Sequence, residues 1–131
     1  MPNPYRALIA APPGLMRRSL RAVLATFPTI TLIGEADGCL SAQTMSQTLK
    51  PDIILIAAGL PEKEVTMLLQ GFHQYGRYKP YTIVFANTAS QKQKAVLAGA
   101  DAVLWRFDST LQLTDALNRF QIANTSQSAS A

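Results

Sequence analysis

Lys50-Pro51-Asp52-Ile53-Ile54-Leu55-Ile56-Ala57-Ala58-Gly59-Leu60-Pro61 is the stretch that decides the fold. From Asp52 to Ala58 it is apolar on both faces, the pattern of a central parallel strand covered on two sides. Pro51 stops the segment before it. Pro61, with Glu62 and Glu64 behind it, opens a helix: proline suits the first turn, and acids suit the positive end of the helix dipole.

The same alternation continues outward. Upstream, Leu40–Leu49 places Ala42, Met45 and Leu49 on one side of a short helix. Thr29–Glu35 is rich in β-branched residues and predicts a strand. Leu15–Phe27 carries Met16, Leu20, Val23, Leu24 and Phe27 at helical spacing, and Arg6–Ala10 predicts a buried strand. Downstream, Val65, Leu68, Leu69 and Phe72 form the core face of a third helix that Gly76 ends. Tyr81–Ala86 predicts a fourth strand. Ser90 and Gln93 make a capping-box pattern for a fourth helix that stops at Gly99. Ala102–Trp105 predicts a fifth strand. Ser109 and Gln112 repeat the capping pattern, with Leu113, Ala116, Leu117 and Phe120 facing inward. The expected organisation is one domain over residues 5–121 and a polar, disordered tail over 122–131.

Five βα units in sequence imply a parallel sheet with right-handed crossovers and helices on both faces. The expected α/β architecture is a doubly wound five-stranded sheet of order 2-1-3-4-5. A ligand would sit beyond the carboxyl ends of the first and third strands.

Composition narrows the function classes. A chain of 131 residues, 48% hydrophobic, holds one domain with a real core. The longest apolar run, Ile53–Leu60, is far too short to span a membrane. Met1-Pro2-Asn3-Pro4 shows no signal-peptide pattern, so the cytoplasm is the expected compartment. Cys39 is the only cysteine and His73 the only histidine, which excludes an internal disulfide and a histidine-based triad or metal cluster. No metal or other cofactor is expected. No Gly-rich phosphate loop exists: Ala10-Ala11-Pro12-Pro13-Gly14 offers too few amide donors. The net charge of +4 points weakly to an anionic partner.

Arg6–Leu20 and Lys50–Pro61 resemble the corresponding segments of response-regulator receiver domains. The phrases Leu8-Ile9-Ala10, Gly34-Glu35-Ala36, Pro51-Asp52-Ile53-Ile54-Leu55 and Gly99-Ala100-Asp101 are similar to receivers that precede helix-turn-helix output domains in transcription factors. The resemblance covers roughly Tyr5 to Phe120. It implies a pocket in which an acidic pair holds Mg²⁺ and an aspartate accepts a phosphoryl group. Here the acidic pair matches Ala11 and Pro12, and the phospho-acceptor matches Ala57. The switch hydroxyl matches Ala86, with Thr88 two residues on. The pocket lysine matches Arg106. A methyl group neither ligates a hard cation nor attacks phosphorus. The resemblance is therefore to a pseudo-receiver, and an enzyme is not expected because no nucleophile–base pair is evident. Among nearby acids, Asp52 begins its strand at the wrong end of the sheet, and Asp37 belongs to a different loop.

The expected function is a non-catalytic protein-interaction module in signalling or transcriptional control. Its partner is a protein of such a pathway, with a homodimer as a further possibility. Two surfaces are candidates. Val103 matches the family's switch aromatic, and Trp105 follows on the same strand face; a half-exposed Trp is enriched at interfaces, while an edge-core Trp is the bland alternative. Arg17, Arg18 and Arg21 cluster opposite the apolar stripe of the first helix, as a solvated face or a partner site. Two other classes stay open. One is a small-ligand sensor using the vacated pocket. The other is binding of nucleic acid or another anionic partner through the basic first helix.

Overall fold

In a computed structural model, the described residues are 5–74, 78–105 and 112–121, the side chains of 73 and 74 excepted. Gly76, Arg106, Ser109, the side chain of His73 and the tail over 122–131 lie outside them.

Strands β1 (Tyr5–Ala10), β2 (Ile30–Ala36), β3 (Ile53–Ile56), β4 (Tyr81–Ala86) and β5 (Ala102–Trp105) alternate with helices α1 (Leu15–Ala25), α2 (Cys39–Leu49), α3 (Glu62–Gln74) and α4 (Ala89–Ala98). Residues 112–121 are helical and form α5. The sheet is parallel throughout and has the expected order β2-β1-β3-β4-β5.

Strand alternation divides the core in two. Ala7, Ile9, Ala11, Ile53, Leu55, Ala57, Ile83 and Phe85 point to the side of α1 and α5. Leu8, Ala10, Ile54, Ile56 and Val84 point to α2, α3 and α4. The expected inward residues of α5, Leu113, Ala116, Leu117 and Phe120, are all buried. Phe120 closes the amino edge of the sheet by packing on Tyr5 and Tyr81, with ring centroids 4.9 and 5.2 Å away.

Two local features were not expected. The β1–β2 register shifts between Ala7 and Leu8, so that Ala7 pairs with Leu32 and Leu8 with Gly34. Gly34 then lies close under α2, where a Cβ would meet Met45 Cε at 2.6 Å. The α4 cap is also two residues earlier than Ser90. The Thr88 side chain accepts from Gln91 N, and the Gln91 side chain accepts from Asn87 N. Gly99 ends the helix at φ 104°, in the left-handed region, as expected.

The retained aspartates at the amino edge are structural. Asp52 Oδ2 accepts from Arg6 N of β1, and Asp101 Oδ2 accepts from Thr82 N of β4, each at 2.8 Å. Each carboxylate thus satisfies the amide of the second residue of a neighbouring strand.

Candidate functional site

The carboxyl ends of β1, β3 and β4 meet at the place where doubly wound sheets bind ligands. The registers set Ala10 beside Ile56, Ile56 beside Val84, and Ala86 beside Trp105. One residue past β1, Ala11 donates its amide to the Ala36 carbonyl, and Ala57 donates to Ala10, both at 2.9 Å. Ala11, Ala57 and Ala86 are all buried, while Pro12 is exposed. This end of the sheet is therefore a row of buried methyl groups. Arg106 lies outside the described residues.

The space there is small. Beside Ala57 lies a cavity of about 20 Å³, roughly the room needed for one water. It is bordered by Gly59, Leu60, Glu62, Phe85, Gln91 and Lys94, with Ala11, Pro12 and Ala86 outside its lining. Thr88, two residues past β4, is occupied as the α4 cap. Among the described residues, no three of His, Cys, Asp and Glu come together to hold a metal. The side chains present at positions 11, 12 and 57 do not fit Mg²⁺, because none offers an oxygen.

Of the arginines of α1, Arg18 and Arg21 lie on an exposed face as expected, and Arg17 departs from it. Arg17 turns onto the sheet edge: its Nε and Nη2 donate to the Ala11 carbonyl at 3.1 and 2.8 Å. The same Nη2 bonds Asp37, in the β2–α2 loop, and Nε lies 3.9 Å from Glu35. Only 14% of its side chain is exposed. Arg21 pairs with Glu35 at 2.8 Å. Arg18 alone of the three is exposed with no ion pair among the described residues. The reason for the correction is tertiary: β2 ends with two acids directly opposite α1, and they draw the guanidinium groups down. Sequence reasoning placed Asp37 in another loop and missed that this loop borders the site.

On β5, Val103 is half-buried against the α4 side, and Trp105 is 38% exposed at the strand's end. Lys92 Nζ of α4 stands 5.3 Å from the centre of its ring, within cation–π range. Trp105 is thus partly exposed, with Lys92 of α4 over its ring.

Cys39 is buried at the start of α2, and burial, aided by Glu64, pushes its thiol up to about 11. It is a packing residue in its neutral form.

No protein-family model matches the sequence, and neither does any curated protein. Solved structures do match. The signal receiver domain of the putative response regulator NarL from Mycobacterium tuberculosis superposes with TM-score 0.80 at 17% identity, over 92% of this chain and 98% of that one. A LuxR-family DNA-binding response regulator from Staphylococcus aureus gives 0.77 at 15% identity, over 88% and 98%. This is the receiver fold. RcsB, a response regulator from Salmonella typhimurium, shares it with TM-score 0.79 at 13% identity, over 93% of this chain and 61% of that one. In the receiver fold the alanine row lies at the ligand-binding edge of the sheet, and β5 with Trp105 forms the outer strand. No helix among the described residues is long and apolar enough to cross a membrane.

Proposed function

We propose that the chain is a pseudo-receiver, a cytoplasmic protein-interaction module of a signalling or transcriptional pathway that works without phosphorylation. The observation that carries this reading is the buried alanine row at Ala11, Ala57 and Ala86. The acids that border this end, Glu35, Asp37 and Glu62, are already paired with Arg21, Arg17 and Lys94. With no carboxylate at positions 11, 12 and 57 to hold a cation or accept a phosphoryl group, this edge serves binding rather than catalysis in this reading. Regulation then comes through partner binding, abundance or self-association. The Staphylococcus aureus protein of the same fold is described as a DNA-binding response regulator, which supports a place in transcriptional control.

The partner surface in this reading is the outer strand, with Val103 and Trp105 as anchors, and it serves a signalling protein or a second copy. Two rival readings lose support. The cavity beside Ala57, about 20 Å³, has no room for a small-molecule ligand. Nucleic-acid binding through α1 would draw on Arg17 and Arg21, whose charges are matched by acids.

Incubation with Mg²⁺ and acetyl phosphate, or with beryllofluoride, tests the reading. The expected result is an unchanged intact mass and unchanged amide NMR spectra. A gain of one acid-labile phosphate, or Mg²⁺-dependent shifts centred on Ala11 and Ala57, would overturn it.

A further inference from the structure

Between α3 and α4 the surface opens into a groove of about 520 Å³ that adjoins the small cavity beside Ala57, sharing Glu62, Thr66 and Lys94 with it, and that does not include Trp105. Its lining is mostly apolar. Met67 and Leu97, 69% and 78% exposed, are among the most exposed large apolar side chains of the described residues. Buried Ala98 and half-buried Thr66 lie with them. Helical spacing explains the arrangement. On α4, Ala95 and Ala98 face the core, Lys92 leans over Trp105, and Lys94 and Leu97, one turn apart, turn toward α3. On α3, Lys63 and Met67 share the groove side four residues apart.

Charge says what would cover it. The ionisable groups of the groove are Lys63, Lys94 and Glu62, and Glu62 is held by Lys94 at 2.7 Å. Lys63 is exposed and has no ion pair among the described residues. The other acid of α3's first turn, Glu64, acts on Cys39 beside α2. Helix α4 has two lysines and no acid. The groove is thus an apolar floor whose rim is net positive, two lysines against one acid, with Lys63 the unpaired charge among the described residues. A second copy would bring two net-positive rims together. A nucleic-acid backbone would find few cations and an apolar floor.

We propose that this groove docks an acidic amphipathic helix of a partner protein. Two apolar side chains one turn apart would seat against Met67 and Leu97, and a flanking carboxylate would meet Lys63. The site is independent of phosphorylation and of the Trp105 surface, so its failure would leave the pseudo-receiver reading intact.

Two helical peptides of about sixteen residues test it. Both carry two leucines one turn apart, one with glutamate flanks and the other with lysine flanks. Each is titrated into the ¹⁵N-labelled chain. The expected result is saturable shifts at Thr66, Met67, Leu97 and Ala98 with the acidic peptide, at least roughly tenfold tighter than with its basic twin. Leu97→Asp, at an exposed position that leaves the melting curve unchanged, should abolish binding. Lys63→Glu should reverse the charge preference. Absence of binding by both peptides at millimolar concentration would overturn the proposal, and so would equal affinity for the two or shifts centred on β5. A concentration-dependent dimer that Leu97→Asp dissolves would give the groove to a second copy and overturn it as well.

Discussion

Arg17 holds the carbonyl oxygen of Ala11 through two donors, at 3.1 and 2.8 Å. The bond ties the first turn of α1 to the residue that follows β1, and the same guanidinium reaches Asp37 in the β2–α2 loop. Arg17→Ala should therefore cost about 2 kcal/mol, because a charge-assisted bond to a largely enclosed carbonyl is lost. Asp37→Ala should cost less than about 1 kcal/mol, since that carboxylate is 73% exposed. Urea unfolding of the two variants makes the comparison. Equal losses would mean that the ion pair, not the carbonyl, is what matters.

Thr88, and not Ser90, caps α4. Thr88→Ala should lower stability by about 1 kcal/mol, while Ser90→Ala, inside the helix, should stay within about 0.5 kcal/mol. Thermal melts of both variants place the helix start. The reverse ranking would move it two residues along.

Stability should decline in alkali. Burial raises the thiol of Cys39 from its ordinary value of 9.0 to about 11. Burial, with Asp52 beside it, raises the phenol of Tyr78, which donates to the Pro51 carbonyl at 2.6 Å. Burial, with Asp101, raises Tyr81. These groups are neutral in the folded state near pH 7. The unfolded chain begins to release their protons near pH 9, while the folded chain still holds them. Their contribution is therefore complete below about pH 9 and is lost as pH climbs toward 11, by about 2 kcal/mol for Cys39. Unfolding free energies at pH 7, 9 and 10.5 should be flat and then fall. Cys39→Ala should flatten part of that fall. A thiol reagent at pH 8 should react slowly with the folded chain and at once in urea.

Trp105 should report on the outer strand. Being 38% exposed, it should emit to the red of a buried indole. Trp105→Ala should cost about 1–2 kcal/mol of stability, less than the roughly 3–5 kcal/mol of a core tryptophan. Lys92→Ala should cost about 0.5 kcal/mol. If β5 is the self-association face, light scattering will find a constitutive dimer that Trp105→Ala weakens. A monomer at high micromolar concentration would refute the dimer, and a stability loss of core size would place Trp105 in the interior.

The sheet order was legible because the strands announce themselves by two-sided apolar runs and the helices by their spacing. Central β3 is the clearest case, with every side chain from Ile53 to Ile56 buried. The α4 cap was ambiguous in pattern: Thr88-Ala89-Ser90-Gln91 and Ser90-Gln91-Lys92-Gln93 both read as capping boxes. The earlier frame wins because β4 runs to Ala86, which leaves only Asn87 before the cap. Arg17 was misread because its acceptors lie six residues back and twenty ahead, outside any helical period. The α3–α4 groove was invisible for the same reason. Met67 and Leu97 are single exposed residues in sequence and become neighbours only once the two helices pack.

The alanine row also bears on how such a chain can change by mutation. Ala57 is only 2% exposed and Ala11 is wholly enclosed, so an aspartate arriving alone at either position would bury a carboxylate where the nearby cations, Lys94 and Arg17, are already engaged by Glu62 and Asp37. The penalty of such a step runs to a few kcal/mol, a large share of what a domain of this size has in hand. Each change toward a working phosphate pocket is thus harmful until the others are present. Under gradual mutation the fold is held on its side of a fitness valley by packing alone.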